Sequence, residues 1–204
     1  MGKFLLVMLV LALTFTTAGS AQANLLTNPG FETGNFNGWS ADWNLGNQAV
    51  SALNPQAGSW EARNFFDGGM YQQINGIVGG GQYRLTGYTN VSAGGSLANW
   101  GSYIGLKFYN ASDQELVNYQ VDTQNLPRNV YNLADTGSVL APAGATYAKV
   151  RFGTWQTNST PAIPTDFDTF DLEGSQQAVP EPMSMLLLGT GLVGLVGLTK
   201  RKKA

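Results

Sequence analysis

Neither cysteine nor histidine occurs anywhere in the 204 residues. The first absence rules out disulfides as a source of stability. Together the two remove the thiolate nucleophile, the commonest general base and the usual zinc ligands. There is also no Gly-x-Ser-x-Gly elbow, no phosphate-binding loop and no internal repeat. Charged residues are scarce at 12%, and few of them are cations in the central part of the chain. Between residues 24 and 178 only Arg63, Arg84, Lys107, Arg128, Lys149 and Arg151 stand against twelve carboxylates, giving a net charge of −6. Phosphate binding needs a concentrated basic face, so nucleic acid is not an expected partner. What remains for catalysis is a pair of carboxylates, the minimum for glycoside hydrolysis. Asp166, Asp168 and Asp171 are close in sequence, but a regular strand would turn Asp171 away from the other two. The expectation is that the chain is not an enzyme.

The two ends differ from the middle. Lys3 precedes an apolar run from Phe4 to Phe15, and Ala21-Gln22-Ala23 has the small-x-small form of a signal peptidase site. Residues 1–23 therefore read as a signal peptide with its helix, and the mature chain begins at Asn24. The last 26 residues contain Val179-Pro180-Glu181-Pro182, an uncharged apolar stretch from Met183 to Thr199, and the basic cluster Lys200 to Lys203. About 17 residues at ~1.5 Å rise span ~25 Å, enough for a short transmembrane helix over 183–199. The cations behind it place residues 200–204 in the cytoplasm. These three parts, in this order at the chain end, resemble the PEP-CTERM sorting signal of exopolysaccharide-producing Gram-negative bacteria. The resemblance implies handling by an exosortase that recognises Pro180, Glu181 and Pro182. It also implies export through the inner membrane, transient anchoring by the C-terminal helix, and final residence at the cell surface or in the extracellular matrix.

Residues 24–174 form one domain, joined to the tail by a linker over 175–182. Gly, Asn, Ser, Thr, Tyr and Trp are plentiful there, while the Leu, Glu, Lys and Ala runs of helices are missing. Tyr83 to Thr89, Tyr103 to Tyr109 and Tyr147 to Trp155 alternate between turn signals and read as strands. Ile104, Leu106, Phe108, Ala148, Val150 and Phe152 fall on inward positions. Tyr103, Lys107, Tyr109, Tyr147, Lys149, Arg151 and Trp155 fall on outward ones. The spacing predicts an all-β fold, a β-sandwich.

The mature start, NLLTNPGFETGNFNGW from Asn24 to Trp39, resembles the opening of jelly-roll carbohydrate-binding modules of the galactose-binding-like type. Ala57-Gly58-Ser59, Met70 to Ile74, Ala141 to Ala145 and the last strand, Asp166 to Leu172, follow in matching order. The resemblance implies a jelly-roll β-sandwich. It further implies a structural calcium where the Phe-Glu segment and the last-strand Asp meet, which maps onto Glu32 and Asp168 with backbone carbonyls near Asn28 and Gly58. Asp168-Thr169 departs from the adjacent Asp pair usual in the family. The alternative is that both carboxylates are solvated or hydrogen-bonded to backbone amides.

Sugar sites stack flat aromatic rings on the apolar face of a pyranose and flank them with polar groups. Tyr88, Tyr103 and Trp155 are the outward candidates, with Arg151, Arg84 and Lys107 as polar neighbours and Trp100 as a lip. Trp39, Trp43 and Trp60 read as core or edge residues. The expected function is a non-catalytic surface or matrix protein that engages extracellular polysaccharide. The alternative is a structural envelope or biofilm protein acting through protein–protein contacts.

Overall fold

The computed structural model describes residues 23–93, 100–156 and 163–175. The expected signal helix, transmembrane helix, Pro180-Glu181-Pro182 motif and basic tail lie outside these residues. The described part contains eleven strands and no helix. They are β1 (Ser40–Trp43), β2 (Gln48–Ser51), β3 (Glu61–Asn64), β4 (Gly68–Asn75), β5 (Gln82–Val91) and β6 (Trp100–Tyr109). β7 (Glu115–Asp122), β8 (Asn132–Asp135), β9 (Val139–Leu140), β10 (Tyr147–Gln156) and β11 (Thr165–Gly174) complete the set.

Two antiparallel sheets result. The first runs β1-β4-β10-β6-β7; the second runs β2-β3-β11-β5-β8, with β9 paired to the start of β5. The alternation seen in the sequence fixes which side of each strand is inside. Ile104, Leu106, Phe108, Ala148, Val150 and Phe152 of the first sheet are fully buried against Leu85, Phe167, Phe170 and Leu172 of the second. This is the all-β sandwich that the sequence predicts.

The residues before β1 form no strand but close one end of the core. Phe31 and Trp39 insert between the sheets, with Phe31 5.8 Å from Phe152 and 6.2 Å from Phe170, ring to ring. Burying a side chain of this size is worth roughly 1.5–3 kcal/mol. The same segment is tied to the last strand. Leu25 N donates to Leu172 O, Asn24 Nδ2 to Phe170 O, and Phe170 N to Pro29 O. The two ends of the domain are therefore stitched together along β11.

β11 contains a bulge. Asp168 pairs with Tyr88 and Asp171 with Thr86, so three residues on β11 advance against two on β5. Thr169 occupies the left-handed region at φ 49°. The bulge keeps Phe167, Phe170 and Leu172 all inward. It also corrects the expected placement of Asp171, which shares the outer face with Asp166 and Asp168, because the inserted residue reverses the alternation.

Candidate functional site

The outer face of the first sheet carries a connected array of rings and cations. Registered across it, Gly69 of β4, Gly153 of β10 and Tyr103 of β6 form one row. Trp43 folds over the glycines: a Cβ on Gly69 would lie 2.4 Å from its ring, and one on Gly153 would lie 3.0 Å from it. Tyr103 stacks beside it at 6.0 Å with an interplanar angle of 11°. Arg151 lies over both rings, at 5.5 Å from Trp43 and 5.6 Å from Tyr103, and is paired with Asp42. Further along, Trp155 settles onto Gly101, whose missing Cβ would lie 2.3 Å from the indole. Any larger residue at Gly69 or Gly101 would displace an indole. Trp155 remains 37% exposed, so part of its ring surface faces solvent.

The other half of the face is built around Lys149. Its Nζ sits 4.5 Å from the centroid of Tyr71 and 5.3 Å from that of Tyr109. Tyr109 in turn stacks on Tyr147 at 4.9 Å, nearly parallel. Lys107 pairs with Glu115 at 2.7 Å. Burial raises the Tyr109 phenol above its ordinary value, with the Glu115 charge acting in the same direction. Between the halves, Gly105 is buried, registered opposite Arg151. A Cβ there would be in ordinary contact, 3.4 Å from Tyr119 O.

Of the residues singled out from sequence, Tyr103, Arg151 and Trp155 are brought together here. Tyr103 is more deeply set than an outward position suggests, at 4% exposed, because Trp43 and Arg151 pack on it. Its hydroxyl has no hydrogen-bond partner, and burial raises its pKa strongly against the pull of Arg151. Tyr88 does not join them. It lies on β5, on the outer face of the opposite sheet, registered between Leu133 and Asp168. Trp100 is not a lip but the centre of a small apolar cluster with Val91 and Ile163, 1% exposed. Its even position on β6 puts it on the inward side with Ser102 and Ile104. Arg84 lies on the second sheet, paired with Asp135.

Trp43, Tyr71 and Lys149 were not nominated from sequence. Trp43 read as core or edge because β1 is only four residues long and carries a bulge between Ala41 and Trp43, which hides its outward direction. Tyr71 sits in β4, where the GGMYQQI alternation was a usable signal.

The outer face of the second sheet is different in kind. Glu61, Asp166 and Asp168 are essentially fully buried there. Arg63 makes a two-pronged bond to Asp166 through Nε and Nη2. Tyr131 Oη donates to Asn54 O, closing two loops over the carboxylates. Burial drives the Tyr131 phenol far upward, and the charges of Asp166, Asp168 and Glu61 push it the same way.

Glu32 and Asp168 do converge, at the end of the sandwich where the chain ends meet. They line a cavity of about 480 Å³ with Asn24, Gly30, Gly58 and Asp171. Glu32 accepts from Ser59 N and Trp60 N, and a Cβ on Gly58 would lie 2.4 Å from its carboxylate. Asp168 accepts from Gln56 N, Ala57 N and Thr169 N. Burial raises the Asp168 pKa, and these amide bonds oppose the rise. Asn28 O, expected as a helper, already accepts from Phe31 N and Trp39 Nε1. A carboxylate offers about four acceptor sites, so each group has one left over. Both carboxylates are thus hydrogen-bonded to backbone amides, and Asp171 lines the same cavity. Among the described residues no three metal-ligating side chains stand close enough to hold an ion, so a cation here would need Glu32 and Asp168 together with backbone carbonyls.

Residues 178–202 match the PEP-CTERM protein-sorting motif, so the chain carries the C-terminal sorting signal of exported proteins. No curated protein sequence is significantly similar to this one. The fold is similar to that of solved carbohydrate-binding modules. TmCBM61, solved in complex with β-1,4-galactotriose, matches with a TM-score of 0.51 at 18% identity, over 76% of this chain and 99% of that one. The CBM22-1 xylan-binding domain from Paenibacillus barcinonensis matches at 0.53 and 17% identity, over 79% of this chain and 100% of that one. The enzymatically active domain of bacteriophage CBA120 tailspike protein 4 matches at 0.59 and 12% identity, over 74% of this chain. Only 21% of the tailspike chain is covered, so the likeness is to one portion of a much larger protein. At these identities the shared property is the jelly-roll fold.

Proposed function

We propose that the exported domain is a non-catalytic module that binds extracellular polysaccharide on the outer face of its first sheet. The observation that carries this reading is the seating of Trp43 and Trp155 on glycine floors, in line with Tyr103 and Arg151. Rings held in this way lose little freedom on binding and offer flat apolar area beside fixed donors, which is what pyranose recognition requires. Trp155, 37% exposed, leaves ring surface for the apolar face of a sugar. Catalysis has no comparable support. Asp166 is committed to Arg63, and Asp168 to three amides, so neither is a free acid for glycoside hydrolysis.

The cavity at Glu32 and Asp168 is, in this reading, a structural calcium position. Calcium there would neutralise the buried Asp168 and the exposed Glu32 and tie the N-terminal segment to β11. An exosortase recognises the Pro180-Glu181-Pro182 segment during export, and the domain then works at the cell surface or in the matrix of a Gram-negative bacterium.

Affinity electrophoresis of the domain over residues 24–178 through gels containing different polysaccharides tests the main reading. Retardation by at least one polymer, abolished by Trp155→Ala with an unchanged melting temperature, is the expected result. Self-association without retardation by any polymer would overturn it in favour of a structural protein acting through protein contacts.

A further inference from the structure

We propose that the ligand of this face carries carboxylate groups and that Lys149 is the residue that answers them. The inference rests on the face being a glycan platform. Ion pairs join Arg63 to Asp166, Arg84 to Asp135, Lys107 to Glu115 and Arg151 to Asp42. Lys149 belongs to none of them. It is held instead between the faces of Tyr71 and Tyr109, which attract an ammonium without neutralising it.

Its position sharpens the point. Lys149 on β10 is registered directly opposite Lys107 on β6, two central strands of the sheet. Like charges in that relation destabilise a sheet. Glu115 offsets one of them from the β7 side, at 2.7 Å from Lys107, and the second positive charge is left over.

The other carboxylates bordering the face are engaged. Asp42 pairs with Arg151, Asp113 accepts from Tyr147 Oη, and Asp122 accepts from Gln120 Nε2. In a domain of net charge −6, an uncompensated cation at the middle of the aromatic array is the opposite of what solubility alone requires. A compact ammonium with three donors suits a carboxylate presented from variable directions along a polymer.

The test uses uronic-acid polymers (alginate, polygalacturonate and hyaluronan), each beside its carboxyl-reduced counterpart. Binding is measured by affinity electrophoresis and calorimetry with the domain over residues 24–178. The expected result is about tenfold tighter binding of at least one carboxylated polymer than of its reduced form, as a charge-assisted contact predicts. The preference should disappear in about 1 M salt. Lys149→Met, which keeps the apolar stem, should abolish the preference without lowering the melting temperature, since it also relieves the opposition to Lys107. Lys149→Arg should keep it.

Equal binding of carboxylated and reduced polymers by the unaltered domain would overturn the inference and leave the platform reading intact. A preference that persists in Lys149→Met would overturn it too. No binding to either form, or to any neutral polysaccharide, would overturn both. If Lys149→Met fails to fold, the salt-sensitive preference of the unaltered domain decides the matter alone.

Discussion

On the outer face of the first sheet part of the ring surface lies open, with Trp155 37% exposed and Lys149 lacking a carboxylate partner, although Tyr103 beneath Trp43 is 4% exposed. On the outer face of the second sheet Asp166 is 1% exposed and Glu61 is 0%, closed beneath loops joined by Tyr131 and Asn54. Both faces come from the same outward alternation, and each holds tightly ordered side chains. The difference is that the second face pairs its buried Asp166 with Arg63, whereas the first leaves part of the Trp155 ring in solvent and the Lys149 ammonium without a carboxylate. Charges paired internally serve stability; ring surface and an ammonium left over are what the proposed binding would use.

The largest effect that separates the faces should come from Asp166→Ala. It strands Arg63, whose side chain is 14% exposed, and should cost about 3 kcal/mol in urea denaturation while leaving glycan binding in place. A comparable loss of binding would erase the distinction between the faces. Calcium removal should come next. A chelator should lower the melting temperature by about 5 to 10 °C if the ion is present at about a hundred times its Kd, and Glu32→Ala should be low already and insensitive to chelator. An unchanged melting curve would remove calcium from the account.

The third test contrasts two substitutions. Gly101→Ala, whose Cβ would displace the Trp155 indole from its floor, should weaken binding about tenfold, or about 1.4 kcal/mol. Tyr88→Ala, on the other sheet, should leave binding unchanged. If the two behave alike, the binding face has been misassigned.

The smallest effect concerns pH. Burial raises the Glu61 pKa above its ordinary value of 4.5, against hydrogen bonds from Ser51 and Asn54 that lower it. The folded state then binds the proton more tightly than the unfolded chain does. This contribution to stability is complete below pH 4.5 and is lost as pH rises through the folded value. Glu61→Gln should lack that decline, which urea midpoints at pH 5 and about pH 7 would register.

The architecture was legible because inward residues alternate cleanly. Ile104, Leu106 and Phe108, with Ala148, Val150 and Phe152, identify two strands and their buried sides without reference to any partner. Strand alternation says only that a residue points outward, not from which sheet. Tyr88 and Tyr103 look equivalent in sequence, and topology alone sends them to opposite sides of the sandwich. Local irregularities hide the rest. The left-handed Thr169 reverses the direction of Asp171, and the bulge in β1 disguises Trp43. Trp100 is an inward position that only looks like a strand-start lip, since the apolar partners that bury it, Val91 and Ile163, are distant in sequence. Glu32 and Asp168 were found because the resemblance to carbohydrate-binding modules pairs the two chain ends, something spacing could not reveal.

The stitching of both domain ends along β11 has a mechanical side. The sorting signal at 178–202 follows directly after that strand. In its second half β11 is flanked by β5 on one side and by the segment from Asn24 to Pro29 on the other. A load on the tail directed along β11 enters the domain at that strand's C-terminal end. The hydrogen bonds of an antiparallel ladder lie across the strand, so such a load meets them in shear, many at once, and not one after another as in unzipping. The strand that closes the fold is thus also the one that first receives such a load.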